Sequence, residues 1–147
     1  RIDAAGRVTM PYQPAFHAGL TTATSLTSST ETQVVFNTTL YNVGSGYNTS
    51  TGRFTAPISG VYSFSGNILF NTSATVHRGL IYMHKNGVGF KSTQVALAGY
   101  AHCGGKFGVE MYLNAGDYVT VRVYSEGYGG AVYDSNEWTY WSGHLIG

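Results

Sequence analysis

The chain has 147 residues with 8 Lys or Arg against 7 Asp or Glu, a formal net charge of +1, and 10% of it is charged. An ordinary soluble domain is roughly 25% charged, so no strong field here draws in nucleic acid or an acidic membrane surface. The 20 glycines and 12 tyrosines, set among abundant Thr, Ser and Asn, favour strands and turns and exclude a coiled coil, a helix bundle or a disordered acidic tail. The length suits one domain around one core. Cys103 stands alone, which leaves no disulfide framework and no thiolate metal site. No run approaches the roughly twenty apolar residues of a membrane helix, so membrane insertion is not expected.

Residues 1–14 carry sparse apolar positions (Ile2, Val8, Met10), a turn at Ala4-Ala5-Gly6 and prolines on both sides of Tyr12-Gln13. They read as a connector or arm, with the domain proper over 15–147. The chain opens on Arg1 rather than Met, which suits a segment of something longer, and no basic-then-apolar signal pattern opens it. Residues 21–32, rich in Thr and Ser, read as a loop. Period-two alternation then recurs. Residues 33–40 place Val34, Phe36 and Leu40 on one face, and the turn Pro57-Ile58-Ser59-Gly60 leads into 60–70, where Tyr62, Phe64, Ile68 and Phe70 share a face. Asn86-Gly87 predicts a tight hairpin. In 106–113 the shared face holds Phe107, Val109, Met111 and Leu113; Asn114-Ala115-Gly116-Asp117 then turns the chain into alternating Val119, Val121 and Val123. Residues 139–146 put Trp141 and Leu145 opposite Tyr140, His144 and Ile146. One-faced strands of this kind are antiparallel. Some eight to ten of them, with turns between, make an all-β sandwich or barrel.

The spacing over 36–64 carries a resemblance. Phe36, Asn42, Tyr47, Phe54, Gly60, Tyr62 and Phe64 follow the pattern of the complement C1q globular-head domain family. Gly52-Arg53-Phe54-Thr55-Ala56-Pro57 running into Gly60-Val61-Tyr62-Ser63-Phe64 is its most specific part. Pro14-Ala15-Phe16 resembles the family's first strand. Residues 113–119 resemble its penultimate hairpin, and Trp141-Ser142-Gly143-His144-Leu145 its closing strand. Gly66 departs from the pattern, which has an aromatic there; the gap needs a large neighbour, with Phe70 and Trp141 as candidates. The resemblance implies a ten-stranded jelly-roll sandwich, shared with tumour-necrosis-factor-like proteins and assembling as a homotrimer. A low-charge, tyrosine-rich surface independently favours an oligomer, because a small monomer would leave it open to association.

Catalytic chemistry is not expected. Asp134 and Glu137 are close in sequence, but solvation of a turn explains them more simply than a pair of carboxylates across a sugar. No nucleophile elbow, zinc-protease helix, dinucleotide fingerprint or phosphate loop is present. His102 and Cys103 are adjacent, so on a strand they point to opposite faces, and a small buried thiol is the expected role. The histidines His17, His77, His84, His102 and His144 form no closely spaced pair; on a threefold axis one of them could hold a metal with its two copies. Some members of the resembled family bind calcium in apical loops. Glu126, Asp134 and Glu137 could offer hard oxygen ligands here, but they form no recognisable ligand loop and no cofactor is assigned. Asn37, Asn48 and Asn71 each begin an Asn-x-Ser/Thr acceptor; a chain this rich in Ser and Thr produces one or two by chance, Asn37 falls in an expected strand, and nothing is rested on them.

The recognition candidate is the stretch 125–138, with Tyr128, Tyr133, Asp134, Glu137 and Trp138 and three glycines. Aromatic rings beside carboxylates suit a sugar face or a protein surface, and long loops lean toward function. The expectation is a non-enzymatic trimeric head at the tip of a fibre or surface protein, extracellular or on a virion, contacting a cell-surface glycan or protein receptor. Arg1-Ile2-Asp3 and Gly6-Arg7-Val8 resemble the connectors that precede tip domains of phage and bacterial fibres. The alternatives are a secreted pattern-recognition lectin or signalling ligand of the same fold, or a purely structural trimerisation cap.

Overall fold

Sequence alternation becomes strands throughout the computed structural model, which describes residues 2, 6, 12–71, 77–97 and 102–147. Of the expected connector, Arg1, Asp3, Ala4, Ala5, Arg7, Val8 and Met10 lie outside the described residues, as do the two residues completing the Asn71 acceptor. The strands in chain order are β1 (Ala15–Gly19), β2 (Thr24–Leu26), β3 (Thr32–Gln33), β4 (Thr38–Val43), β5 (Tyr47–Asn48), β6 (Arg53–Thr55) and β7 (Gly60–Asn71). Then come β8 (His77–Lys85), β9 (Val88–Leu97), β10 (His102–Leu113), β11 (Tyr118–Ser125), β12 (Gly130–Val132) and β13 (Tyr140–Leu145).

They form two antiparallel sheets. In the first, β4, β1, β13, β7 and β10 lie side by side, and β12 continues on β7 beyond the end of β13 and carries β2. The second runs β5-β6-β11-β8-β9, with β3 added on β11. This is the expected all-β jelly roll. Thirteen strands among the described residues exceed the ten foreseen because several are two- or three-residue ladders too short to show as alternation.

The sheets close over aromatic side chains. Phe16, Phe36, Phe54, Tyr62, Phe64, Phe70 and Trp141 are all buried. Phe16 lies 4.7 Å from Trp141 edge-on and 4.9 Å from Phe54 stacked, centroid to centroid, within the range where ring pairs attract beyond their burial. The signature spacing has a physical account. Asn42 clamps Tyr47 from both sides, its amide nitrogen donating to the Tyr47 carbonyl at 2.8 Å and its oxygen accepting from the Tyr47 N–H at 3.1 Å. The Tyr47 hydroxyl donates to the Phe36 carbonyl at 2.8 Å. Burial pushes that phenol well above its ordinary range, so it remains a neutral donor. Tyr62 does the same for the turn before it, donating to Ile58 at 2.8 Å.

Four expectations are corrected. Leu40 is 80% exposed rather than core. The stretch 33–40 is not one strand, since β3 belongs to the second sheet and β4 to the first. The β1–β4 register then slips between His17 and Ala18, whose partners are Tyr41 and Thr39, so that Leu40 is the extra residue of a bulge. Next, residues 113–119 are not a hairpin: β10 pairs with β7 and β11 with β8, so the turn carries the chain between sheets. Third, the space over Gly66 is filled by Phe107, opposite it on β10, rather than by Phe70 or Trp141. A Cβ at Gly66 would sit 2.6 Å from the Phe107 ring and collide with the Tyr140 carbonyl oxygen. Finally, the 21–32 loop contains β2, whose buried Leu26 fixes it to the core.

The Asn86-Gly87 hairpin is present, with φ of 51° and 81° at its two central residues. It is stapled to the 114–117 turn. Asp117 accepts from the Asn86 side chain at 2.8 Å and the Asn114 N–H at 2.9 Å, and pairs with Lys85 at 3.0 Å. The Asn86 bond first, then the Asn114 and Lys85 bonds, holds the Asp117 carboxyl far below the usual carboxylate range.

Three substitutions test this account of stability. Phe64→Ala should cost about 3–5 kcal/mol by opening a cavity and Gly66→Ala about 1–3 kcal/mol by overpacking, both read from urea unfolding. Asp117 binds a proton more readily unfolded than folded, so its contribution is complete above about pH 4 and fades as acid drops through its lower folded value. Asp117→Asn should therefore lose less stability than the parent between pH 5 and pH 2, as followed by thermal melts.

Candidate functional site

The stretch 126–139 runs over one end of the first sheet, and it is tied down at several points. Its middle is β12, whose Val132 is fully buried opposite Phe70. The Tyr133 N–H donates to the Leu69 carbonyl at 2.8 Å. A turn closes next, with the N–H groups of Trp138 and Thr139 donating to Ser135 at 3.1 and 2.7 Å. Buried Thr139 returns to β7, accepting from the Leu69 N–H at 3.3 Å, while the Asn67 side chain donates to the Trp138 carbonyl. A segment expected as a free loop is thus a second edge for β7.

This anchoring brings Tyr133 and Trp138 together. With Leu69 and His102 they line an open, mainly apolar depression of about 290 Å³. Tyr133 meets the His102 ring edge-on at 4.8 Å, and Trp138 is 57% exposed. His102 and Leu69 were not foreseen as site residues. They reach the shelf because β10 pairs with β7 over its whole length, placing His102 opposite Asn71, and one sequence does not reveal a register.

The other predicted residues go elsewhere. Glu137 and Asn136 line a separate depression against β1 and β4. Tyr128 lies over Gly130, near enough that a Cβ there would be 3.1 Å from its ring. Asp134 is exposed. Glu126 is held by Arg78 at 2.9 Å, so Glu126, Asp134 and Glu137 are not gathered as calcium ligands. No group of three His, Cys, Asp or Glu fit to hold a metal occurs among the described residues. His102 and Cys103 do face opposite ways, and Cys103 is half-buried against the core edge rather than fully buried. His17 stacks on Tyr140 at 5.3 Å, His144 is exposed, and the side chain of His77 lies outside the described residues.

Charge is distributed unevenly between the sheets. β4, β1, β13 and β7, four neighbours of the first sheet, contain no Asp, Glu, Lys or Arg. The second sheet carries Arg53, Arg78, Lys85, Lys91 and Arg122 on its strands, and the charges on the strands of the first, Lys106 and Glu110, are confined to β10 at its edge. On that side Glu31 sits between Arg122 Nε at 2.5 Å and His84 Nε2 at 3.1 Å, and the other His84 nitrogen faces the Gly87 carbonyl at 3.2 Å.

A family model described as the C1q domain matches residues 15–146. The chain belongs to the C1q domain family. It is 33% identical over 135 residues to the human protein "Complement C1q and tumor necrosis factor-related protein 9A", a match covering 90% of this chain and 38% of that protein, so the chain spans well under half of that relative's length. The globular domain of the zebrafish complement 1qA protein superposes with a TM-score of 0.68 at 20% identity, covering 92% of this chain and 98% of that one. Murine APRIL at pH 5.0 gives 0.70 at 15% identity over 91% and 99%. The Eiger TNF of S. frugiperda gives 0.67 at 14% identity over 92% and 93%. These solved structures establish the shared fold.

Because Tyr133 and Trp138 lie outside the aromatic core, Tyr133→Ala should leave stability within about 1 kcal/mol of the parent, measured by the same urea unfolding as Phe64→Ala. A loss as large as that of Phe64→Ala would place the shelf in the core.

Proposed function

We propose that this C1q domain is a non-catalytic trimeric recognition head, acting outside the cell or on a virion surface. The observation that carries the reading is the run of four adjacent strands without an ionised acid or base. Their outward positions hold Ser63, Ser65 and Asn67 on β7, Ser142 and His144 on β13, and His17 on β1. Such a face is cheap to dehydrate, since no charge loses its water. Closing it around a threefold axis ends growth at three copies. The Tyr133–Trp138 shelf lies beyond the Ser-rich centre of this face, at the end away from Pro14 and Gly147. It supports recognition of a glycan or a protein receptor, with three weak contacts acting together.

The finer form of this reading puts the head at the tip of a longer fibre, of the phage or bacterial kind that the 1–10 segment resembles. A secreted signalling ligand is the second reading, favoured by the likeness to the human protein related to C1q and tumour necrosis factor. A β-fibrous shaft encoded upstream in the gene supports the first and a signal peptide the second.

Sedimentation velocity at micromolar concentration should give a trimer. Ser65→Arg, at an exposed outward position in the centre of the face, should give a monomer with an unchanged β-type circular dichroism spectrum. A monomeric parent chain would sink the trimer. On a glycan array, Trp138→Ala should remove the signal while the trimer persists; unaltered binding would remove the shelf from the recognition site.

A further inference from the structure

The second sheet, away from the uncharged strands, holds a buried histidine between two oxygens. His84, on β8, is 8% exposed. Its Nε2 faces Glu31 Oε1 at 3.1 Å and its Nδ1 faces the Gly87 carbonyl at 3.2 Å. An ionised carboxylate and a carbonyl only accept, and only the charged imidazole carries a proton on each nitrogen. The neutral ring can serve one of the two oxygens and turns a lone pair to the other. Around the ring stand Arg122 on β11, which shares the same Glu31 oxygen, and Thr120, opposite His84 on that strand. Tyr82, on β8 itself, meets the ring edge-on at 6.1 Å, and Lys85 is engaged by Asp117. On β9 the residue opposite is Gly89, with Lys91 past the bulge and over the Phe90 ring.

Glu31 ends the turn between β2 and β3, and that turn is strained. Ser29 has a φ of 54°, in the left-handed region that a residue with a Cβ avoids, and such a residue stays there only while its surroundings hold it. The Ser29 N–H donates to the Ser125 carbonyl at 2.9 Å, and its hydroxyl accepts from the Gly127 N–H at 3.0 Å. The turn therefore braces residues 125–127, where the chain leaves β11 and enters the 126–139 stretch. We propose that His84 and Glu31 form a proton-operated latch, closed on the 27–31 turn when the ring is charged and released when it is neutral, so that protonation sets the order of the entry to the recognition segment. Its bearing on binding rests on the recognition function above and supplies a regulation of that site. The sign follows from which form makes both contacts. The latch is closed in mildly acidic medium and opens as pH rises through the imidazole range. Stronger acid, which neutralises carboxylates at about pH 4, opens it too. Arg122 keeps its hold on Glu31 when the ring is neutral, so the turn loosens while β3 stays paired with β11.

The test is NMR of the full chain, following the backbone amides and the histidine rings between about pH 5.5 and about pH 8.5, a range that spans imidazole titration. The amide heteronuclear Overhauser effect, which reports fast local motion, should fall at Ser29 and Gly127 by about a fifth or more as pH rises. The fall should keep step with the His84 ring signal, while the amides of Thr32 and Gln33 hold their values. In Glu31→Gln the His84 ring should still titrate and the two amides should no longer follow it. His84→Gln puts a donor that does not titrate beside Glu31 and should remove the pH response. Circular dichroism checks that both variants keep the β fold. The proposal is overturned if Ser29 and Gly127 keep one value across the range in the parent, or if their response survives in Glu31→Gln. If a variant fails to fold, the parent decides: a response that follows another histidine's ring also overturns the latch. The measurement uses no ligand, so a blank glycan array removes the recognition function and leaves the latch to stand or fall on its own amides.

Discussion

The structure depends on a slab of aromatic rings shared by the two sheets. Phe16, Trp141, Phe64, Phe54 and Tyr47 stack or meet edge-on around one centre, and every strand that reaches that centre must present either a ring or enough room for one. Gly66 belongs to the same constraint, because Phe107 occupies the space its side chain would take. The large side chains therefore fix the sheet spacing, the register of β10 on β7 and the position of β13. Little freedom remains in the middle of the molecule. Variation in chemistry is left to the outward faces and to the end where 126–139 lies.

Those outward faces divide the work. Ion pairs and cationic strands gather on the second sheet, where Glu31, Arg122 and His84 are in contact. The first sheet is uncharged over four strands. Exposed ion pairs add little to stability, but they make a surface costly to bury, and their absence has the reverse effect. The contrast leaves the outward side of β4, β1, β13 and β7 easier to strip of water than the second sheet. The turn 135–139 stands at one end of that uncharged side, held to β1 by the Leu20 N–H on the Thr139 carbonyl.

Much of the fold was legible in the chain. Alternation in 60–70, 106–113 and 119–123 named the core residues because an antiparallel strand with one buried face must alternate, and the Asn86-Gly87 pair announced its turn through the backbone angles it tolerates. The Phe36-Asn42-Tyr47 spacing was legible as a resemblance, and the structure gives its cause in an amide clamp and a buried hydroxyl. What escaped was set by partners far away in sequence. Leu40 looked like core until a bulge displaced it, the 114–117 turn looked like a hairpin because crossing between sheets leaves no local mark, and Phe107 filled the Gly66 gap across a ladder. The site followed the same rule. Tyr133 and Trp138 could be picked out as aromatic residues in a turn-rich stretch, whereas His102 and Leu69 join them only through strand register.

One further property comes from where the domain is entered and left. The Leu145 N–H donates to the Pro14 carbonyl at 3.0 Å, and Ala15 stands opposite His144 in the ladder between β1 and β13. Tension applied across those two points would open that ladder one rung at a time, like a zip, rather than shear all its bonds at once. Tethered by a single end, the same domain carries no load through its own sheets.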